Sequence, residues 1–287
     1  MINTLQNTPN KTVANEPITL MLVGGGIRFP AFIGALKAIE EKGLKISKIV
    51  ASSSGAIVAS LYVSGYTSEN LLEESLSLDM RQFKDVSIWS VINNYGLCSG
   101  RKIEEWLSER LDGRTFSSDL KLPLEIVATD MNQYRPVTFS VERFPELSLA
   151  TAAVASSMIP GVFGYRTLQY ADKKYALVDG SLMTGIIEGR MDRNSKTLVI
   201  KVMSKRTLKR SGDRKLSLGR YLHEMLTFSV HAQEKEFLKG GKWKDTILVY
   251  CSEISPTTFS LSAEEKNYLY MQGYEQTKKY LEYKWGV

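Results

Sequence analysis

The chain has 287 residues, of which 43% are hydrophobic and 24% are charged, so its composition is that of a globular protein with a substantial core. Its two cysteines, Cys98 and Cys251, are too few and too far apart for a disulfide framework, which favours a reducing compartment, and no cysteine–histidine cluster has zinc spacing. No apolar run reaches the roughly 18 residues of a membrane-spanning helix, and the polar start of the chain lacks the apolar region of a signal peptide.

The first part of the chain alternates strands with helices. Residues 18–23 form a continuous apolar run, which is typical of a buried strand in a parallel sheet. After three glycines, residues 30–43 have the proline and glycine punctuation of a helix. A second strand at residues 48–52 leads through a serine-rich turn into an apolar helix at residues 56–63. This order predicts a parallel α/β sheet with right-handed crossovers.

The remainder continues the α/β pattern without an internal repeat, so we predict a flexible segment at residues 1–16 and one domain at residues 17–287. Further helices are predicted at residues 68–78, 101–111, 147–158 and 216–238, and from Ser262 onwards, where a capping box begins. Further strands are predicted at residues 124–129 with a hairpin partner at 135–139, in a hairpin at 168–178, and at 197–203 and 246–250.

The net charge of +6 is concentrated in residues 205–220. This basic segment has seven basic residues against one acidic residue, so it carries the whole excess of positive charge. Such a segment can bind anionic lipid or nucleic acid, and the alternative is a solvated loop without a partner.

A serine elbow is the first candidate for chemistry. In residues 49–56 an apolar strand enters a turn of small residues, and an apolar helix follows. This resembles the G-x-S-x-G nucleophile elbow, with Ala51 in place of the first glycine, Gly55 as the second, and Ser53 as the nucleophile. The alternative is a serine that caps the helix.

A glycine-rich turn upstream offers donors for an oxyanion. Closely spaced glycines let backbone N–H groups converge on an anion, and the helix that follows adds positive potential. The predicted oxyanion hole comprises Gly24, Gly25, Gly26, Ile27 and Arg28. A dinucleotide-binding loop is the competing interpretation, but Phe29 occupies a position that its glycine pattern requires.

The general base has two kinds of candidate. Asp179 ends an apolar strand before Gly180, which permits a tight turn, although the same pair is also typical of a hairpin turn. His223 or His231 would complete a Ser–acid–His order, but both lie on a predicted helix where a packed or surface histidine is common. Asp130 also ends a strand, and we expect it to hold the following turn.

Five blocks of the chain, in order, resemble those of the patatin-like phospholipase family. They are the glycine loop with its helix (residues 24–36), the serine elbow (51–56), a strand with its hairpin partner (128–139), a small-residue helix leading to a proline and a phenylalanine (152–163), and Asp179-Gly180. The set covers roughly residues 18–181, and five blocks in this order are specific.

The resemblance implies a three-layer α/β/α fold with a mainly parallel central sheet. It implies a Ser–Asp dyad without histidine, in which Ser53 is the nucleophile, Asp179 is the base and the loop from Gly24 to Arg28 forms the oxyanion hole. The implied reaction is hydrolysis of fatty-acyl esters of phospholipids or lysophospholipids through an acyl-enzyme, with no cofactor and no metal. A weakly active or non-catalytic lipid-binding protein and an acyltransferase are the alternatives.

Three positions depart from the family pattern. Phe29 and Ala51 replace glycines, and Ser181 stands where glycine or alanine is usual. We expect Ala51 to affect the geometry of the elbow, and Phe29 to narrow the oxyanion loop or to line an acyl channel.

The family resemblance also bears on partners. It implies peripheral action at a phospholipid membrane surface, not at nucleic acid, and leaves room for a protein or lipid activator. The aromatic residues 83–95 and the basic segment are two stretches that could contact lipid, although ordinary core packing is the alternative for the first. The expected location is the cytoplasm, with delivery outside the producing cell and the oligomeric state left open.

Overall fold

The computed structural model describes residues 16–86, 95–183, 196–203, 225, 228, 245–251, 254 and 260–287. The strands are β1 (Ile18–Val23), β2 (Ile46–Ser52), β3 (Gly96–Cys98), β4 (Leu124–Asp130), β5 (Arg135–Phe139), β6 (Gly161–Phe163), β7 (Arg166–Tyr170), β8 (Lys173–Val178), β9 (Thr197–Met203) and β10 (Thr246–Tyr250). The α-helices are α1 (Pro30–Glu41), α2 (Ser54–Val63), α3 (Ser68–Ser77), α4 (Arg101–Leu111), α5 (Leu149–Ser156) and α6 (Ala263–Tyr280). Short 3₁₀ turns cover Gly26–Arg28, Met80–Phe83 and Gly180–Met183, and α6 ends in a π-helical turn, Leu281–Trp285.

Eight strands form one sheet. Seven of them follow the order β10-β9-β1-β2-β4-β8-β7, and the eighth, β5, pairs with the C-terminal part of β4. The pairs from β10 to β4 are parallel, whereas β8 runs antiparallel to both β4 and β7. In the register, Val23 lies beside Ser52, and Ser52 lies beside Val127. The carboxyl ends of three adjacent parallel strands therefore meet at one edge, which is where α/β proteins commonly bind ligands.

The sheet is buried on both faces. All six residues of β1 are buried, as expected for a central parallel strand. Side chains on one face of the sheet belong to a large apolar cluster that also contains residues of the described helices. The other face carries a smaller cluster of five buried side chains. The five are Met21, Val23, Val50, Val127 and Val199. The mostly parallel sheet with flanking helices agrees with the predicted α/β class.

Two glycines allow α1 and α6 to pack closely. A Cβ atom at Gly34 would lie 1.9 Å from the carbonyl oxygen of Tyr270, and one at Gly273 would lie 1.9 Å from that of Ala31. Any side chain at either position would push the helices apart. The close contact thereby holds the start of α1, next to the glycine loop, against the C-terminal helix.

Most predicted elements that lie in the described residues are confirmed, with small shifts at their ends. The helix after the elbow begins at Ser54 rather than residue 56, and the small-residue helix covers Leu149–Ser156 rather than residues 147–158. Of the predicted helix at residues 216–238, Met225 and Phe228 are described, and both have helical backbone. None of the helices in the described ranges is long and apolar enough to cross a membrane.

Several predictions fall on residues outside the described ranges. They are the basic segment at residues 205–220, both histidines and most of the aromatic stretch at residues 83–95. The division into a flexible segment and one domain stays a prediction. In the part of the chain that the structure describes, no group of three or more histidine, cysteine or carboxylate side chains is arranged to hold a metal ion.

Candidate active site

Ser53 lies on a tight turn between β2 and α2, with backbone angles φ 56° and ψ −140°. Its amide donates a 2.9 Å hydrogen bond to the hydroxyl of Ser156 on α5, and this hydroxyl donates in turn to the carbonyl of Val127 on β4. A non-glycine residue with positive φ is uncommon, and such backbone strain persists where its surroundings hold it. The turn thus lifts the Ser53 side chain away from the end of β2.

The two small residues beside Ser53 have different roles. A Cβ atom at Gly55 would lie 2.5 Å from the carbonyl oxygen of Leu22, so α2 can begin this close to β1 only with glycine there. Ala51, by contrast, lies within β2 and does not have a positive φ. The expectation that Ala51 disturbs the elbow is therefore wrong, because the unusual backbone conformation is at Ser53 itself.

Asp179 follows β8 and lies next to Ser53. The Ser53 hydroxyl donates a 2.6 Å hydrogen bond to Asp179 Oδ2, and the amide of Ser181 donates a 2.8 Å bond to Oδ1. A Cβ atom at Gly180 would lie 1.8 Å from the carbonyl oxygen of Val127, so only glycine permits this approach to β4. The alternative of a hairpin turn at Asp179 is wrong, because the turn that joins β7 to β8 lies at residues 171–172.

The Asp179 carboxyl is 1% exposed, and this burial raises its pKa, although hydrogen bonds from Ser181 and Ser53 act in the opposite direction. A raised pKa means that the carboxylate binds a proton more tightly than an exposed aspartate does. The Asp179 carboxylate therefore combines a raised pKa with a direct hydrogen bond from the Ser53 hydroxyl.

The glycine loop lies beside this pair. Gly24, Gly25 and Gly26 all have positive φ, at 73°, 100° and 56°. Within the described residues, the amides of Gly25, Gly26 and Ile27 have no hydrogen-bond acceptor. The hydroxyl of Ser54 donates a 2.9 Å bond to the carbonyl of Gly24, which ties the loop to the elbow. The loop thus places three backbone donors, without acceptors among the described residues, next to the elbow, and an oxyanion hole requires donors of this kind.

The side chain of Arg28, a residue of the predicted oxyanion hole, binds backbone carbonyls on either side of it. Its guanidinium is 2% exposed, with Nε donating to the carbonyl of Gly25 at 3.1 Å and Nη2 to that of Val202 at 3.4 Å. It does not line the cavity into which Ser53 opens. The side chain therefore binds the loop to β9 and orients the Gly25 peptide, rather than facing the Ser53 hydroxyl.

An apolar cavity opens at Ser53, and we call it the first cavity. Its walls come mainly from the loop and helices α2, α3 and α4. Its apolar lining includes Phe29, Ile57, Leu61, Leu71, Leu78, Phe83 and Trp106. Ser54 and Leu61 are seven residues apart on α2, so the cavity extends roughly 10 Å along this helix. Phe29 has φ −53°, which needs no glycine, and its ring lines the cavity.

Two further residues support the pair, and sequence reasoning missed both. Ser156 holds the amide of Ser53, and the Thr129 hydroxyl donates a 3.0 Å bond to the backbone carbonyl of Asp179. Both lie in segments whose recognisable feature in the sequence is only that their residues are small or β-branched. Asp130 has the structural role expected of it, since its Oδ1 accepts the amides of Asn132 and Ala176.

A serine on a strained strand-to-helix turn, bonded to a buried carboxylate beside an amide-rich loop, defines the class of serine hydrolases. The patatin-like phospholipase family profile matches residues 20–187. The chain belongs to the patatin-like phospholipase family, which is a family of lipid hydrolases.

Similar proteins come from bacteria and viruses. The uncharacterized protein YqhO of Bacillus subtilis is 24% identical over 284 residues, which cover 90% of this chain and 96% of YqhO. The probable lipid hydrolase 463L of Invertebrate iridescent virus 6 is 26% identical over 57% of this chain and 59% of its own length. The NTE family protein Rv1063c of Mycobacterium tuberculosis is 32% identical over 50% of this chain and 38% of its own.

Solved structures share the fold. VipD from Legionella pneumophila matches 93% of this chain and 67% of its own, with a TM-score of 0.62 and 16% identity. ExoU from Pseudomonas aeruginosa, in complex with SpcU, matches 95% of this chain and 54% of its own, with a TM-score of 0.55 and 18% identity. This chain thus spans about half of ExoU. The likeness confirms the predicted three-layer α/β/α fold.

Proposed function

We propose that the protein cleaves fatty-acyl esters of phospholipids or lysophospholipids with Ser53 as nucleophile and Asp179 as base. The observation that carries the proposal is the 2.6 Å hydrogen bond between Ser53 Oγ and Asp179 Oδ2 at the opening of an apolar cavity. The hydroxyl has a base within reach, and the cavity offers a hydrocarbon chain an apolar environment.

In the first step, Ser53 Oγ attacks the carbonyl carbon of the ester while Asp179 takes the hydroxyl proton. The amides of the loop, Gly25, Gly26 and Ile27, stabilise the negative charge that forms on the carbonyl oxygen. The bond to the alcohol breaks, and Asp179 returns the proton to the departing alkoxide. The acyl group is then bound to Ser53 as an ester.

In the second step, a water molecule attacks this ester and gives a proton to Asp179. The tetrahedral intermediate uses the same amides, and its collapse releases the fatty acid while Asp179 returns the proton to Ser53 Oγ. Asp179 thus acts first as base and then as acid, twice in each turnover. Its raised pKa favours the role as base, because a carboxylate that binds a proton more tightly takes it from serine at a smaller free-energy cost.

The proposed setting is a phospholipid surface, met peripherally by a chain located in the cytoplasm. A protein or lipid activator is part of the proposal. The structure of ExoU in complex with SpcU supports this part only in that a protein of the same fold binds another protein.

The test combines covalent labelling with product analysis. Wild type should react with a fluorophosphonate probe and release free fatty acid from phospholipid vesicles or lysophospholipid micelles, as measured by mass spectrometry. Ser53→Ala should lose both, with activity lower by at least about 10³-fold.

Ser52→Ala is the matched control. Ser52 is the adjacent buried serine, and its hydroxyl has no partner among the described residues, so the variant should keep both labelling and activity. Labelling of Ser53→Ala at the wild-type level would refute the assignment. Vesicle binding by a wild type that is neither labelled nor active would instead support the non-catalytic alternative.

A further inference from the structure

A second apolar cavity lies on the Asp179 side of the pair. Residues on either side of Asp179 line it: Val178 before it, and Leu182 and Met183 after it. Its outer wall is formed by Met131 and by tyrosines at 95, 134 and 165.

One short segment separates the two cavities. Ile159 and Val162 line the first, Pro160 lines the second, and Phe163 lines both. Ser53 opens into the first cavity, and the neighbours of Asp179 line the second. The reacting ester would therefore lie between two apolar spaces that share a wall.

The sheet register explains this position. Ser52 pairs with Val127, so the last residues of β4 extend beyond the elbow, and Thr129 pairs there with Val178 of β8. The second cavity lies over this extension, and its rim is open to the surroundings. Met131 and Tyr134 are 46% and 83% exposed. A long chain can therefore enter from the rim.

We propose that the second cavity binds the second hydrocarbon chain of a two-chain lipid while the chain to be cleaved occupies the first. This inference rests on the proposed function and narrows its substrate class to diacyl lipids over lysolipids. Its basis is the position of the two cavities, one lined by Ser53 and the other by the neighbours of Asp179, with Phe163 in the wall that they share.

The lining favours hydrocarbon over a phosphate head group. No basic residue lines the second cavity among the described residues, and its one ionisable acid, Asp130, would repel a phosphate. The Thr129 hydroxyl already donates to the Asp179 carbonyl. A hydrocarbon chain bound against the exposed apolar rim would remove apolar surface of both from water, and this burial would stabilise the complex.

The test compares a diacylphospholipid with the lysophospholipid that carries the same scissile chain, in mixed micelles of constant composition. Met131→Trp narrows the second cavity from its exposed rim. Met271→Trp is the matched control, because Met271 is similarly exposed, at 43%, but lies on α6 and lines neither cavity.

We expect Met131→Trp to lower kcat/KM for the diacyl substrate about tenfold, since displacing two methylene groups suffices for that factor, and to change the lysolipid rate less than twofold. Met271→Trp should change neither. Equal effects of Met131→Trp on both substrates, or none on the diacyl substrate, would overturn the inference while the lysolipid rate still reports the proposed function. A wild type inactive on both substrates would overturn the proposed function, and this inference with it.

Discussion

The hydroxyl of Ser156 accepts a 2.9 Å hydrogen bond from the amide of Ser53 and donates one to the carbonyl of Val127. A side chain of α5, 103 residues further along the chain than Ser53, thereby connects the elbow to β4. The bond holds Ser53 at φ 56° and ψ −140°, which is a sparsely populated conformation for a residue with a Cβ atom. The elbow keeps its strained shape because a distant helix supports it.

The strain at Ser53 predicts an unusual order of stabilities. Ser53→Gly should be more stable than Ser53→Ala by about 1 kcal/mol, because glycine adopts positive φ freely and both variants lose the same hydroxyl. Ser60, buried within α2, is the control, since there glycine should be less stable than alanine by about 1 kcal/mol. Urea unfolding measures both differences, and an alanine variant more stable than the glycine variant at Ser53 would show that the elbow is unstrained.

The buried carboxylate of Asp179 predicts how activity depends on pH. The carboxylate must be ionised to accept the serine proton, so kcat/KM should fall as pH falls through the raised pKa of Asp179. Asp179→Asn should lower kcat by at least about 10²-fold. A wild-type kcat for Asp179→Asn would show that another group accepts the proton.

The same carboxylate predicts a pH-dependent stability. Because folding raises the pKa of Asp179 above its ordinary value of 3.8, the native state holds this proton more tightly than the unfolded state does. Its contribution to the free energy of unfolding is therefore present at low pH and is lost as pH rises from the ordinary value through the raised one. Asp179→Asn should gain stability relative to wild type over that interval, as measured by denaturant unfolding at a series of pH values. A gain that is independent of pH would contradict this account.

The glycine loop predicts a difference between two glycine substitutions. Gly25 and Gly43 both have positive φ, at 100° and 64°, but a Cβ atom at Gly25 would lie 2.6 Å from the Phe32 ring, whereas one at Gly43 would meet nothing within 4 Å. Gly43→Ala should cost about 1 kcal/mol of stability through its backbone alone. Gly25→Ala should cost a further ~1–3 kcal/mol by overpacking and should lower activity about 10²-fold, because its amide moves. Equal stabilities of Gly25→Ala and Gly43→Ala would mean that the Phe32 ring moves aside without a cost in free energy.

The first cavity predicts selectivity for acyl-chain length. Leu61 lines the cavity about 10 Å along α2 from the elbow, so Leu61→Trp should shorten the space for the chain while leaving Ser53 and Asp179 in place. Ester substrates of increasing chain length should show a lower optimum length in the variant, with the shortest substrates cleaved at the wild-type rate. A uniform loss on all lengths would point to damaged packing rather than to a shortened acyl site.

Local patterns in the sequence determined the elements and the outline of the site. A continuous apolar run is required of a central parallel strand, glycines are required where the loop has positive φ, and small residues are required where α2 begins against β1. These constraints act between residues close together in sequence or on single positions, so they can be recognised without coordinates. For this reason the α/β order, the elbow and the glycine loop could be predicted.

The tertiary structure decided which groups meet. Ser53 and Asp179 are 126 residues apart in sequence, yet Ser53 Oγ lies 2.6 Å from Asp179 Oδ2. They meet because β8 pairs antiparallel with β4, and β4 lies beside β2. The direction of the Arg28 guanidinium depends on a carbonyl of β9 in the same way. No local propensity specifies such pairings, because they arise from the order of strands in the sheet. The sequence therefore determined which residues could do chemistry, and the packing of the sheet decided where each one points.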